Sequence, residues 1–139
     1  MLACHDQIHG MCVQIASVPA AFGGAVPTSG ISASLVVGQP VMAESDFTNA
    51  ADMRGAVVFV SRGKVDFATK ARRAQAAGAV ALLVGQTADV WPYTMTDSKT
   101  NGEGVDIPVM MVRKSHAARF DPHLRLRLRL RPLCICASS

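Results

Sequence analysis

Charged and aromatic side chains are both scarce in this sequence. Only 17% of its 139 residues are charged and 5% are aromatic, including a single tryptophan and a single tyrosine, whereas 50% are hydrophobic. This composition excludes an intrinsically disordered chain, which would have few hydrophobic residues and many charges. The length predicts one domain with an ordinary hydrophobic core.

Long apolar runs are also missing. The best stretches, such as residues 79–84, end after a handful of positions, whereas a membrane span needs about 18 or more apolar residues. Residues 1–10 place His5, Asp6 and His9 where a secretory signal would have a basic start and then an apolar stretch. We therefore predict neither a transmembrane segment nor a signal peptide, and the compartment stays unknown.

The four cysteines occur only near the two ends, as Cys4, Cys12, Cys134 and Cys136. Their spacing fixes neither a pairing nor a redox compartment. Cys4 and Cys12 lie with His5 and His9 within nine positions, whereas structural zinc sites usually combine two separated ligand pairs. We predict no metal site and no cofactor.

A strand, a helix and a second strand are predicted in the middle of the chain. Residues 56–60 and 79–84 are short, continuous apolar runs, which are typical of strands buried on both faces. Asp66 is placed to cap the intervening helix. This βαβ unit is expected to have a right-handed crossover between parallel strands.

The predicted helix has one small, buried face. Its members recur at helical spacing and are Phe67, Ala71, Ala74 and Gly78. The basic residues of the same helix are expected to point to solvent, and they are Lys70, Arg72 and Arg73.

Further short strands are predicted on both sides of this unit, at residues 11–15, 31–37 and 107–112, which gives a mixed sheet. Residues 86–106 are rich in polar residues and glycine and are predicted to form a long surface loop. A short helix is predicted from Lys114, with Ser115 as its cap.

Positive charge is concentrated in the last part of the chain. Residues 1–112 carry a net charge of −2 and residues 113–139 a net charge of +6. Residues 124–131 alternate leucine and arginine, which favours an edge strand with leucines in the core and arginines in water. A basic arm for nucleic acid or anionic lipid and a low-complexity end are the alternatives, and residues 132–139 are predicted to be a disordered tail.

No catalytic constellation is recognisable. The G-x-S-x-G elbow is absent, and serine, histidine and aspartate show no spacing that suggests a triad. His116 is interpreted as a solvated helix residue, and residues 62–64 as a tight turn without a phosphate-binding glycine pattern. We predict no catalytic residue, and the chain is not expected to be an enzyme.

The only tryptophan and the only tyrosine lie together in the polar loop. Exposed aromatic residues often anchor a binding partner, although the two rings can instead fold back over the sheet. The candidate partner-binding residues are Trp91, Pro92, Tyr93 and Met95.

Several short motifs occur in an order that resembles the protease-associated (PA) domain family. They span residues 18–112 and are Ala21-Phe22-Gly23, Asp52-Met53-Arg54-Gly55, Arg62-Gly63 with Phe67 and Lys70, residues 74–79, and Ile107-Pro108-Val109. The resemblance implies an α/β fold of the swivelling β/β/α type, with a mixed, barrel-like sheet around the βαβ unit. Val65 stands where many members have a cysteine, so their disulfide is not expected here.

The resemblance also implies a function. Such domains accompany subtilisin-like proteases, zinc aminopeptidases and sorting receptors in the secretory or endomembrane lumen, where they bind protein or peptide segments without catalysing a reaction. We therefore predict a first strand in residues 1–17, a PA-like core in 18–112, and a helix and edge strand in 113–131. The predicted function is protein or peptide binding; the alternatives are an accessory fragment of a peptidase and a basic-tail binder, nucleic acid being the less favoured partner.

Overall fold

The computed structural model describes residues 13–123, 126–132 and 134–138. The strands within these residues are β1 (Val13–Ile15), β2 (Ser17–Pro19), β3 (Ile31–Val37), β4 (Val57–Ser61), β5 (Ala81–Gly85), β6 (Val109–Val112), β7 (Arg127–Arg131) and β8 (Cys134–Ser138). The helices are α1 (Phe67–Ala76) and α2 (Lys114–Ala117), with a turn of 3-10 helix at Ala50–Asp52.

The strands form one mixed sheet that nearly closes into a barrel. Their order is β1-β8-β7-β3-β4-β5-β6-β2, with β3 to β6 parallel and the other neighbours antiparallel. Although β1 and β2 stand at opposite ends of this order, only Ala16 separates them in the chain. The two ends of the sheet therefore meet at Ala16, and the predicted fold class is confirmed.

The central βαβ unit is β4, α1 and β5, as predicted. The Asp66 side chain accepts a hydrogen bond from the Thr69 backbone nitrogen at 2.7 Å and caps α1. The helix stops just before Gly78, whose φ of +91° is a left-handed conformation that glycine adopts without strain.

One set of alternating strand residues fills the inside of the curved sheet. In β4 these are Val57 and Phe59, and the corresponding residues of the other strands belong to the same buried cluster. Phe120, which follows α2, packs edge to face on Phe59 with 4.8 Å between ring centroids. We call this set the inner cluster, and α2 with Phe120 covers one end of it.

The opposite set of strand residues packs against α1 and the connecting loops. Val58 and Val60 of β4 belong to it, together with Ala71 and Ala74 of the helix, and none of the four is exposed. We call it the outer cluster. The small helix residues let α1 lie close to the sheet, as the sequence predicts.

The end of the chain differs from prediction. β7 does bury Leu128 and Leu130 while Arg127 and Arg131 are exposed, but it lies between β3 and β8 and is not an edge strand. The predicted disordered tail is also wrong, because Cys134–Ser138 forms β8 and pairs with β7 and β1. Ile135 of β8 is fully buried in the inner cluster, which explains why this segment is ordered.

Two other expectations have a definite outcome. α2 begins after Arg113, with no side-chain cap, so Ser115 is not its cap. The long loop after β5 has no helix or strand up to β6, as predicted. The zinc-type residues considered at the start of the chain, and most of the segment 1–17, lie outside the described residues.

Candidate functional site

The long loop after β5 begins at the edge of the sheet where the parallel strands end. β4 and β5 are paired so that Ser61 lies opposite Gly85. The next residues of the two strands, Arg62 and Gln86, are therefore neighbours at this edge.

Gln86 fixes the start of the loop. Its side chain is 2% exposed, and its Oε1 accepts hydrogen bonds from Arg62 Nη1 at 3.0 Å and from the Thr87 backbone nitrogen at 3.1 Å. Its Nε2 donates to the carbonyl oxygen of Val90 at 3.0 Å. A buried amide with both ends bonded holds residues 86–90 in one conformation.

Arg62 lies beside two aromatic rings that contact each other edge to face. Its guanidinium carbon is 4.5 Å from the ring centroid of Tyr93 and 5.7 Å from that of Phe67, and the two centroids are 6.1 Å apart. Both distances are within the range of cation–π attraction. Arg62 thus ties the loop to the turn before α1, a role that the tight-turn interpretation of residues 62–64 missed.

The structure separates the four predicted partner-binding residues. Trp91 and Tyr93 are half-buried and pack against the outer cluster, while Pro92 is exposed. Met95 is 0% exposed and belongs to the outer cluster, so its prediction as a contact residue is wrong. Its thioether fills the core, and its carbonyl accepts from the Ala21 nitrogen at 2.9 Å, which fixes the middle of the loop to the segment after β2.

Trp91 contributes to the walls of two clefts. The larger has a volume of about 360 Å³ and is lined by His116 and by residues 14–18 of the β1–β2 segment. The smaller, of about 190 Å³, includes Asp89, Arg113 and Lys114. A cleft of mixed polar and apolar lining and a charged cleft therefore adjoin the same indole ring. We call Trp91, Pro92 and Tyr93, with these clefts, the Trp91 surface.

The second half of the loop is held by α1. Arg72 donates to the carbonyl oxygen of Glu103 from Nε at 3.0 Å and from Nη2 at 2.8 Å. The Asp97 carboxylate closes a tight turn, and its hydrogen bonds from the Thr100 hydroxyl and then from the Gly102 nitrogen lower its pKa to about 2. These bonds tie the second half of the loop to α1 and close its turn.

Lys70 is fully buried, and the expectation that it points to solvent is wrong. Its Nζ donates to the carbonyl oxygens of Gly63, at 2.7 Å, and of Met42. Burial lowers its pKa to about 8, the charge of Glu44 acting in the opposite direction. The lysine joins the β3–β4 connection to the turn before α1, and its helix position alone gives no sign of this long-range contact.

His116 is not a solvated helix residue either. It is half-buried on the wall of the larger cleft, and its Nδ1 accepts a hydrogen bond from the Ala16 backbone nitrogen at 2.7 Å. Burial lowers the pKa of this imidazole, and the positive charges of Arg119 and Arg113 add to the effect. A ring nitrogen that accepts from the backbone has no free lone pair for base catalysis.

Within the residues that the structure describes, no three histidine, cysteine, aspartate or glutamate side chains come close enough to share a metal ion. In the same part of the chain, neither helix is long and apolar enough to cross a membrane.

Relatives of known sequence share part of this chain. A family model described as the PA domain matches residues 25–120. A PRADC1-like protein of Drosophila melanogaster is 38% identical over 63 residues, which are 45% of this chain and 32% of that protein.

Two solved structures share the fold. BSAP, a zinc aminopeptidase from Bacillus subtilis, matches with a TM-score of 0.67 and 25% identity over 89% of this chain and 28% of that one. An aminopeptidase from Aneurinibacillus sp. strain AM-1 matches with a TM-score of 0.62 and 17% identity over 91% of this chain and 31% of that one. The chain spans about a third of the length of each of these relatives.

The matched segment runs from the loop before β3 to Phe120 and so contains the βαβ unit, the loop and α2. It covers well over half of the sequence, and the sheet topology agrees with it. This chain is a protease-associated module and belongs to the PA domain family.

Proposed function

We propose that this module binds a protein or peptide segment at the Trp91 surface. The observation that carries the proposal is the placement of Trp91 on the walls of two clefts, one of mixed polar and apolar lining and one charged, at the carboxyl edge of the parallel strands. Aromatic residues next to such clefts are the usual anchors of recognition surfaces. Val90, which precedes Trp91, is 51% exposed and adds an apolar side chain beside the indole ring.

The rigidity of the loop supports this role. Gln86 and Arg62 hold its start, and Met95 returns it to the core. A surface that is already ordered loses little conformational entropy when a partner binds. In the charged cleft Asp89 lies 4.0 Å from Lys114, and Arg113 adds a further positive charge, which suits a partner that carries a carboxylate beside an apolar side chain.

We further propose that the module is an accessory one that catalyses no reaction itself. Its family is generally non-catalytic, and its structural neighbours are aminopeptidases of which it matches less than a third. In support, His116 Nδ1 is already bonded to the backbone. Turnover of a peptide and ester panel that disappears in a His116→Asn variant would contradict this part of the proposal.

The test begins with selection of binders from a random displayed peptide library on the immobilised chain. Affinities of the enriched peptides are then measured by calorimetry for the wild type and for Trp91→Ala and Tyr93→Ala. We expect each substitution to weaken binding by more than about 2 kcal/mol, or roughly 30-fold, if the ring is an anchor.

Val41→Ser is the matched control, because Val41 is 40% exposed on the wall of a cleft of about 440 Å³ that Trp91 and Tyr93 do not line. It should leave the affinity unchanged. Peptides that bind all the variants equally, or that lose affinity only with Val41→Ser, would move the site away from Trp91.

A further inference from the structure

The β2–β6 ladder ends in an unusual way at Ala16. The carbonyl oxygen of Ala16 accepts from the Arg113 nitrogen at 3.1 Å, as expected for antiparallel strands. The reciprocal bond, from the Ala16 nitrogen to the Arg113 carbonyl, is replaced. That carbonyl instead accepts from the nitrogens of His116 and Ala117, both at 2.9 Å, and starts α2.

The imidazole of His116 supplies the missing acceptor. Its Nδ1 lies 2.7 Å from the Ala16 nitrogen, so one side chain of α2 completes a backbone ladder between residues 100 positions apart. Ala16 is also the residue that links β1 to β2 and thereby the two ends of the sheet. The closure of the barrel-like sheet therefore depends partly on one titratable ring.

We propose that His116 is a pH-sensitive latch, which holds the β1–β2 junction when neutral and releases it when protonated. An imidazolium carries a hydrogen on Nδ1, which then opposes the hydrogen of the Ala16 amide. The amide loses its acceptor, and the junction that forms one wall of the 360 Å³ cleft separates from α2.

The surroundings of the ring favour release in mild acid. Residues 13–19 carry no ionisable side chain. The nearby carboxylate of Asp89 lies 4.0 Å from Lys114 and is paired with that residue, not with the His116 imidazole. The charges acting on the imidazole are those of Arg119 and Arg113, which, like its burial, disfavour the cation. The latch is thus held at neutral pH and opens below the usual range of histidine titration.

The latch deepens the proposed function, because the wall that it holds belongs to the Trp91 surface. An effect on partner capture rests on that function, whereas the latch itself is tested without any partner. The experiment is amide hydrogen exchange of the full chain by NMR from pH 7.5 to 4.5, with the His116 ring titrated in the same samples.

In the wild type we expect the protection factor of the Ala16 amide to fall about tenfold, with the midpoint at which His116 takes up its proton. The Leu82 amide, which donates to the Pro108 carbonyl at 2.9 Å, should keep its protection and serves as the reference. His116→Asn, whose side-chain oxygen accepts without titrating, should protect Ala16 equally at every pH.

A His116→Phe variant, which has no acceptor, should leave Ala16 weakly protected throughout. The latch is refuted if Ala16 stays protected while His116 is protonated, or if His116→Asn loses protection as the wild type does. An equal loss at Leu82 also refutes it, since the whole fold and not the junction would then respond. These outcomes do not depend on the His116→Phe variant folding.

Discussion

Arg62 offers the sharpest test of how the Trp91 surface is built. In an Arg62→Met variant the apolar stem is kept, but the guanidinium that bonds Gln86 and lies against the rings of Tyr93 and Phe67 is lost. If these contacts order the loop, the substitution should loosen residues 86–93 and leave the barrel intact.

The magnitude follows from the contacts. A hydrogen bond from a charged donor stabilises the fold by about 1.5 kcal/mol or more. The lowest value applies here, because Gln86 Oε1 still accepts a hydrogen bond from the Thr87 nitrogen when Arg62 is replaced. The Tyr93 contact at 4.5 Å adds about 1 kcal/mol. The total of about 2.5 kcal/mol corresponds to a decrease in melting temperature of about 8 °C for a domain of this size.

Intrinsic fluorescence is the appropriate assay, because Trp91 is the only tryptophan and lies in the affected loop. Acrylamide should quench Trp91 more efficiently in Arg62→Met than in the wild type. Arg54→Met is the control, since Arg54 is exposed and its side chain makes no hydrogen bond or ion pair within the described residues. Unchanged quenching and melting temperature in Arg62→Met, or equal changes in both variants, would refute the reasoning.

Three further predictions concern pH and backbone geometry. The pKa of Lys70 is about 8 in the folded chain and 10.5 in the unfolded chain, so the unfolded chain binds more protons between these two pH values. The free energy of unfolding of the wild type, relative to that of Lys70→Met, should therefore increase by up to about 3 kcal/mol as the pH rises. Urea unfolding at pH 7 to 10 measures this difference. The Asp97 carboxyl, with its pKa near 2, should stabilise the loop above pH 4 and lose this effect as pH falls through 2, and a carbon NMR titration midpoint near 3.8 would contradict this. Gly102→Ala should lower the free energy of unfolding by about 3 kcal/mol, because Gly102 has a φ of +70° and an added Cβ would lie 2.3 Å from Phe22 Cβ. Gly104→Ala should lower it by only about 1 kcal/mol, because Gly104 has a similar φ of +80° but open space around it.

The parts of the fold predicted from sequence are those set by local patterns. Continuous apolar runs gave β4 and β5, and Asp66 with the small residues after it gave α1. The interior position of β7 could not be read in this way, because its leucine and arginine alternation is the same whether one or both of its edges are paired. Only the pairing with Cys134–Ser138, a segment that looked unstructured, decides it.

The predicted site shows the same limit. Trp91, Pro92 and Tyr93 were predicted as contact residues because the only tryptophan and the only tyrosine lie together in a polar loop, and they stay a prediction, whereas Met95 looked equally available and is buried. The burial of Lys70 was not predicted, because a lysine on a helix is usually solvated. The two carbonyl oxygens that accept its hydrogen bonds belong to Met42 and Gly63, outside the helix. Arg62 and Gln86 did carry a signal, because each directly follows one of two adjacent parallel strands.

The way the loop is attached determines where specificity can reside. Between the buried side chains of Gln86 and Met95, residues 87–90 and Pro92 are exposed, and Trp91 and Tyr93 only partly enter the outer cluster. Substitutions in residues 87–92 therefore change what a partner meets while the inner cluster stays untouched. If this is correct, a chimera that exchanges residues 87–92 for another sequence of equal length should retain the protection of the Leu82 amide and lose the peptides selected by the wild type. Loss of Leu82 protection in the chimera would show instead that the loop is part of the folding core.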